Sequence, residues 1–231
     1  MPPAAGPDAR GLAVETAGLS LRGPRGWVYR DARLAVPANA LAALAGPAGS
    51  GRTSLLLTLG GRMRPTEGTA TVGDRTLPAQ ARAVRRLTAL GAVAGVNDLE
   101  PALTVGEHVG EALALHEGVL GRWRNRRARV RDALDRAGLD ADPRTRAGDL
   151  APDEAQLLGA ALALIGRPGV LLLDDVDAGL PFDLQERLWE RLRAIAASGV
   201  TVIASCHDPA PAGDLARIAR LPGPHPERTP R

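Results

Sequence analysis

The sequence predicts an α/β fold with buried parallel strands and a helical insertion. Three observations predict it. Short apolar runs alternate with stretches of helical period along most of the 231 residues. A glycine-rich segment, GPAGSGRTS at 46–54, lies between an apolar run and a helical stretch. The continuous apolar run VLLL at 170–173 is followed at once by Asp174 and Asp175, the pattern of a buried parallel strand whose carboxyl end faces a site.

In chain order, residues 11–45 read as short strands, with turns at Gly23 and Pro24 and around 37–39, ending in the apolar run LAALA at 41–45. A helix is expected over 50–59, a strand over 68–72 and a helix over 78–90. Thr104 and Glu107 have the spacing of a capping box, so a helix begins at 104 and carries Val105, Val109, Leu113 and Leu115 on a helical period. GVLG at 118–121 breaks it, and a second helix through RARVRDALDRAG carries a basic face. Residues 100–150 thus read as a helical insertion. The helical period resumes at Pro152 and stops at the breaker 166–168. A strand at 170–173, an amphipathic helix over 182–198 and a buried strand over 200–205 follow, with Cys206 and His207 at the end of the last.

Composition narrows the chemistry. All 29 basic residues are arginine, set against 26 acidic ones for a formal charge of +3. Without lysine there is no Schiff base, no lysine general base and no lysine in a phosphate loop. So small a net charge is a weak argument for nucleic acid. The single Cys206 rules out an intramolecular disulfide and a cysteine-rich metal site, which suits a reducing compartment. With three Trp, one Tyr and one Phe, the core must be built from Leu, Ala and Val. The start lacks the apolar stretch of a signal peptide, and no apolar run reaches the roughly 18 to 20 residues of a membrane span. Residues 1–11 and 223–231, dense in Pro and Gly, are expected to be disordered tails.

Gly46-Pro47-Ala48-Gly49-Ser50-Gly51-Arg52-Thr53 nearly satisfies the phosphate-loop pattern GxxxxGK[ST], with arginine in place of lysine. Glycines let backbone N–H groups curl around phosphate oxygens, the helix start favours an anion, and the Thr53 hydroxyl suits Mg2+. Arg52 supplies positive charge through a planar fork larger than an ammonium. A glycine-rich turn that merely caps a helix is the plainer alternative. Asp174 could hold a Mg2+-bound water across from Thr53, and Asp175 could polarise the attacking water, although two carboxylates after VLLL also suit simple solvation of a strand end. His207, after the next strand, would reach the same edge and could sense a terminal phosphate; otherwise it is an ordinary strand-end residue. The run Arg122, Arg124, Arg126, Arg127, Arg129 and Arg131 reads as a solvated helix face or a docking surface, and nucleic acid is not expected as a partner.

Together these residues resemble the nucleotide-binding subunit of an ATP-binding cassette transporter, over about 12–222. GPAGSGRT with SLLLTLGGRMRPTEGTATVGDR is similar to the family's Walker A segment and following strands, and LEPALTVGEHV to the start of its helical subdomain. LAPDEAQLLGAALALIGRPGVLLLDDVDAGLP is similar to the stretch from signature motif through Walker B to D-loop, with His207 at the switch histidine. The resemblance implies a P-loop NTPase core with a mixed, largely parallel sheet, an antiparallel β subdomain and a helical subdomain at about 100–150. It implies ATP and Mg2+ as cofactors, bound through residues Gly46, Pro47, Ala48, Gly49, Ser50, Gly51, Arg52, Thr53 and Ser54, with Thr53 and Asp174 on the metal. Asp175, His207 and Arg52 would take the catalytic positions. It further implies a place on the inner face of the cell membrane, a transmembrane permease-like partner, and a homodimer or heterodimer of nucleotide-binding subunits.

The departures fall on catalytic positions. Arg52 replaces the Walker lysine, and Leu150-Ala151-Pro152-Asp153-Glu154 replaces the signature LSGGQ. Asp175 stands for the catalytic glutamate, one methylene shorter; the Q-loop glutamine falls near Gly95 and the D-loop aspartate at Pro181. The adenine-stacking aromatic falls near Gly23, leaving Trp27 or Tyr29 as substitutes. Pro152, Asp153 and Glu154 are also good first-turn residues, so this segment could persist as a helix start alone. A binding subunit with slow hydrolysis and a hydrolysis-deficient regulatory or scaffolding subunit are the two readings the residues allow.

Overall fold

The structure, a computed structural model, describes residues 11–117 and 125–223. The GVLG break, Arg122 and Arg124, and nearly all of both expected tails lie outside the described residues.

Two five-stranded sheets form the body. In the first, strands β1 (Val14–Gly23) and β2 (Gly26–Ala32) make a hairpin closed by Gly23 opposite Gly26. Pro24 in the intervening turn has the fixed φ that such a position favours. The short β3 (Ala35–Val36), β5 (Glu67–Val72) and β6 (Arg75–Leu77) complete it, all antiparallel, in the order β2-β1-β5-β6 with β3 on β1. The second sheet is parallel, in the order β10-β4-β9-β8-β7, from β4 (Leu41–Ala45), β7 (Thr88–Leu90), β8 (Val170–Leu173), β9 (Thr201–Cys206) and β10 (Arg217–Arg220).

Both faces of the parallel sheet are covered, which explains why its strands read as unbroken apolar runs. Side chains alternate along a strand. Accordingly Leu41, Ala43, Ala45, Leu171 and Leu173 enter one core with the helices, while Ala42, Leu44, Val170 and Leu172 enter a second core shared with the antiparallel sheet. Helix α1 (Arg52–Leu59) packs into that second core through Leu55, Leu56 and Leu59.

The stretch 78–90, expected as one helix, divides into α2 (Ala81–Leu87) and β7. Thr88, Ala89 and Leu90 pair in register with Val170, Leu171 and Leu172, and ladder hydrogen bonding outweighs the local helical period. Helices α3 (Val105–Glu117) and α4 (Arg126–Ala137) form a lobe that packs with α5 (Pro152–Leu164). The capping box at the start of α3 is formed on both sides: Glu107 N donates to Thr104 Oγ1 at 3.2 Å and Thr104 N to Glu107 Oε2 at 2.8 Å. Helix α6 (Phe182–Ala197) presses the fully buried Trp189 against the first core. Among the described residues no helix is long and apolar enough to cross a membrane.

Because β4, β9 and β8 are neighbours and parallel, with Ala45 beside Cys206 and Leu173 beside Ala204, their carboxyl ends deliver three loops to one edge.

Candidate functional site

The loop after β4 is shaped by glycines that no other residue replaces freely. Gly49 and Gly51 have φ of 78° and 88°, and a Cβ on Gly51 would stand 2.5 Å from Val28 O. A Cβ on Gly46 would stand 2.7 Å from Ser50 Oγ. The chain therefore turns tightly from strand into α1 and leaves a cleft of about 340 Å3 lined by Val28, residues 47–54 and Asp175. Ser50 Oγ is buried in this loop without a hydrogen-bond partner among the described residues. A buried hydroxyl left unmatched costs free energy unless a ligand meets it.

Thr53, on the first turn of α1, donates to Asp174 Oδ2 at 2.6 Å. Asp174 is nearly buried at the end of β8, and its other oxygen accepts from Ser205 Oγ at 2.5 Å. The same Ser205 oxygen accepts from Asp175 N at 2.8 Å, which fixes the turn where Asp175 takes a φ of 43°. Thr53 and Asp174, expected together from sequence, are thus brought together. Ser205 was legible only as an inward strand residue, because a serine in VTVIAS carries no signal of its partner on β8.

Arg52 and Asp175, assigned separate tasks by the sequence, meet. Arg52 Nη2 lies 2.5 Å from Asp175 Oδ1, and its Nη1 donates to Gly46 O. The Arg52 side chain is 11% exposed and that of Asp175 47%. The guanidinium therefore lies across the loop toward the carboxylate.

His207 stands at the same sheet edge but outside the lining of the cleft, its backbone N donating to Asp177 Oδ2 at 2.6 Å. Asp177 also takes Asp208 N at 3.1 Å and so ties the loop after β9 to the loop after β8. No sequence pattern announced that contact.

At 150–154 the first-turn role is realised: Pro152 opens α5 and Glu154 Oε2 accepts from Ala151 N at 3.0 Å. Gly95 sits in an open loop at φ 72°, its N donating to Asp98 Oδ2 at 2.9 Å, and Pro181 precedes α6. Tyr29 is not available for stacking on a base: its ring is 3% exposed and its hydroxyl donates to Thr58 Oγ1 at 2.8 Å. Burial pushes that phenol up to about 12, the Thr58 bond opposing the shift. Strand β2 buries Gly26, Tyr29 and Ala32, three positions apart, with register shifts along its pairing with β1, so Tyr29 turns to the core. Trp27, two residues earlier, is only partly buried, and the guanidinium carbons of Arg22 and Arg30 lie 5.6 and 5.3 Å from its ring centre.

The donor set fits a magnesium nucleotide on three observations: a buried hydroxyl unmatched among the described residues, a loop with no room for a Cβ at Gly46 or Gly51, and a hydroxyl–carboxylate pair of hard oxygen donors. Among the described residues no group of three or more His, Cys, Asp or Glu could hold a metal alone, so magnesium here would take most of its ligands from phosphate and water.

Comparison with known proteins agrees. A family model described as ABC transporter matches residues 29–178. The Nod factor export ATP-binding protein I of Bradyrhizobium diazoefficiens is 30% identical over 201 residues, which cover 85% of this chain and 62% of that protein. Its namesake from Burkholderia thailandensis is 32% identical over 169 residues, covering 71% and 52%. The chain thus spans less than two thirds of the length of these relatives. Among solved structures, the ATP-binding cassette MJ0796 in a dimeric post-hydrolysis state with ADP and Pi has a TM-score of 0.69 at 23% identity, covering 90% of this chain and 94% of that one. A nucleotide-free ATP-binding cassette from an ABC transporter has a TM-score of 0.72 at 16% identity, covering 91% and 87%. These two show a shared fold.

Proposed function

Because the chain belongs to the ABC transporter family, we propose that it is the ATP-binding subunit of a membrane transport system, coupling MgATP binding to a separate transmembrane partner. The observation that carries this reading is the loop at 46–51, where a Cβ at Gly46 or Gly51 would clash and the buried Ser50 hydroxyl has no partner among the described residues. Loop amides and the start of α1 would hold the phosphates, and Thr53 with Asp174 would hold Mg2+. The bound metal would supply charge neutralisation on the phosphate oxygens.

Hydrolysis would be slow. Asp175 can orient a water only when Arg52 has left it, and Arg52 can reach a phosphate only by the same movement. Both catalytic tasks therefore depend on breaking one ion pair. His207, at the same edge, would contact the terminal phosphate only after its side chain turns toward the cleft. The segment at 150–154, where Glu154 is committed to its own helix start, would make a poor phosphate clamp for a second subunit. A homodimer or a heterodimer with a better clamp is compatible with that weakness.

The Arg52–Asp175 pair equally favours a second reading, a nucleotide-binding subunit that does not hydrolyse ATP and acts in regulation or as a scaffold. ATP turnover measured with the membrane partner separates the two: Asp175→Asn is expected to abolish any turnover while nucleotide still binds. Turnover unchanged in that variant overturns the catalytic role, and no nucleotide binding by the wild type overturns both readings.

A further inference from the structure

The cleft at 46–54 is furnished for phosphate and for little else. Its polar side chains are Ser50, Arg52, Thr53, Ser54 and Asp175, hydroxyls and charges carried by the loop, by α1 and by the turn after β8. Where the hairpin of β1 and β2 reaches it, the lining is the aliphatic Val28. Among the described residues that line it there is no aromatic ring and no side-chain amide.

The hairpin shows where a ring is missing. Gly23 stands opposite Gly26, and a Cβ on it would lie 3.3 Å from Val28 Cγ2, so a side chain at 23 would rest against the residue that forms this wall. Glycine supplies none. Tyr29 is buried, with its hydroxyl on Thr58. Trp27 pairs across the hairpin with Arg22 and stays outside the lining, its ring flanked by the guanidiniums of Arg22 and Arg30. No aromatic of the hairpin is therefore set to meet a base in the cleft.

Contacts to phosphate hold any nucleotide alike. Bases are told apart by groups that pair with one base edge and are left unmatched by another. An aromatic platform adds affinity for a base, on the order of ten- to hundredfold. With neither device in the lining, the binding energy comes from loop amides, Arg52 and the metal.

We propose that this site takes nucleoside triphosphates as a class, held through their phosphates without a reading of the base, and that Gly23 is the position responsible. This rests on the loop at 46–54 being the nucleotide site and widens its ligand from ATP to any nucleoside triphosphate.

ATP, GTP, CTP and UTP, titrated calorimetrically into the full chain with Mg2+, are expected to give dissociation constants within about fivefold of one another. Inorganic tripolyphosphate, the base-free probe, is expected to displace all four. A wider spread among the four overturns the proposal while nucleotide binding stands, as does tripolyphosphate that fails to displace them. Binding of none overturns the reading of the loop itself, and the proposal with it. Gly23, whose φ is not positive, can be replaced without forbidden backbone. Gly23→Tyr is expected to tighten ATP and GTP by about tenfold and leave tripolyphosphate unchanged; a folded variant with unchanged affinities overturns the role of Gly23. Trp27→Ala is expected to leave the order of the four nucleotides as it is, and a selective loss of ATP and GTP would show Trp27 stacking on the base and overturn the proposal. If Gly23→Tyr does not fold, the wild-type series and Trp27→Ala decide between them.

Discussion

Arg52 Nη2 and Asp175 Oδ1 are 2.5 Å apart, so the two residues in which this chain departs from the family's lysine and glutamate are each other's partners. An arginine reaches farther and spreads wider than a lysine; an aspartate withdraws one methylene from a glutamate. The two changes are complementary in space, and their effects should not be additive.

Neutralising Asp175 frees Arg52 for phosphate. Since the carboxylate is 47% exposed, solvent screening holds the pair to about 1 kcal/mol or less. Asp175→Asn should therefore tighten nucleotide binding by about two- to fivefold, and the gain should shrink at high salt. Calorimetry at low and high ionic strength checks both; affinity that falls on substitution would mean that Asp175 helps rather than competes.

Gly51→Ala should be severe. The new Cβ meets Val28 O at 2.5 Å on top of the strain of φ 88°, about 1–2 kcal/mol by itself. Gly18→Ala, at φ 60° with no atom within 4 Å of the new carbon, carries the strain alone. Denaturant unfolding with nucleotide titration should show a loss of more than about tenfold in affinity for the first, since a displaced loop forfeits charge-assisted hydrogen bonds, and none for the second. Equal effects would show that the loop geometry is not specific.

The Cys206 thiol, fully buried at the end of β9, is pushed up to about 12, first by burial and then by the charge of Asp177. A raised folded-state pKa contributes stability that is complete below the ordinary thiol range and is lost as pH rises through about 12. Native protein at pH 8 should thus react with a disulfide reagent far more slowly than protein in denaturant, because thiolate is the reactive form. Rapid native labelling would contradict the packing around β9.

Periodicity and motif spacing located the strands 41–45 and 170–173, the capping box at 104, the helix from 152 and the loop between β4 and α1. Each of these is a local property: a run of apolar residues, a three-residue reach from Thr104 to Glu107, a glycine where φ is positive. Where local preference and long-range pairing disagreed, at 88–90, the sequence alone favoured the helix and the sheet decided otherwise.

The sequence by itself thus determined the fold class, the glycine loop and the identity of Thr53, Asp174, Asp175 and His207 as residues at strand and helix ends. Only the tertiary structure decided which of them touch. Ser205 holds Asp174 and Asp175 from another strand, Asp177 holds the loop of His207, Tyr29 turns inward, and Arg52 faces Asp175 across 123 positions of chain. The reason is physical: hydrogen bonding within a turn or helix couples neighbours in sequence, whereas the pairing of charges at a sheet edge depends on strand order, which a one-dimensional pattern does not encode.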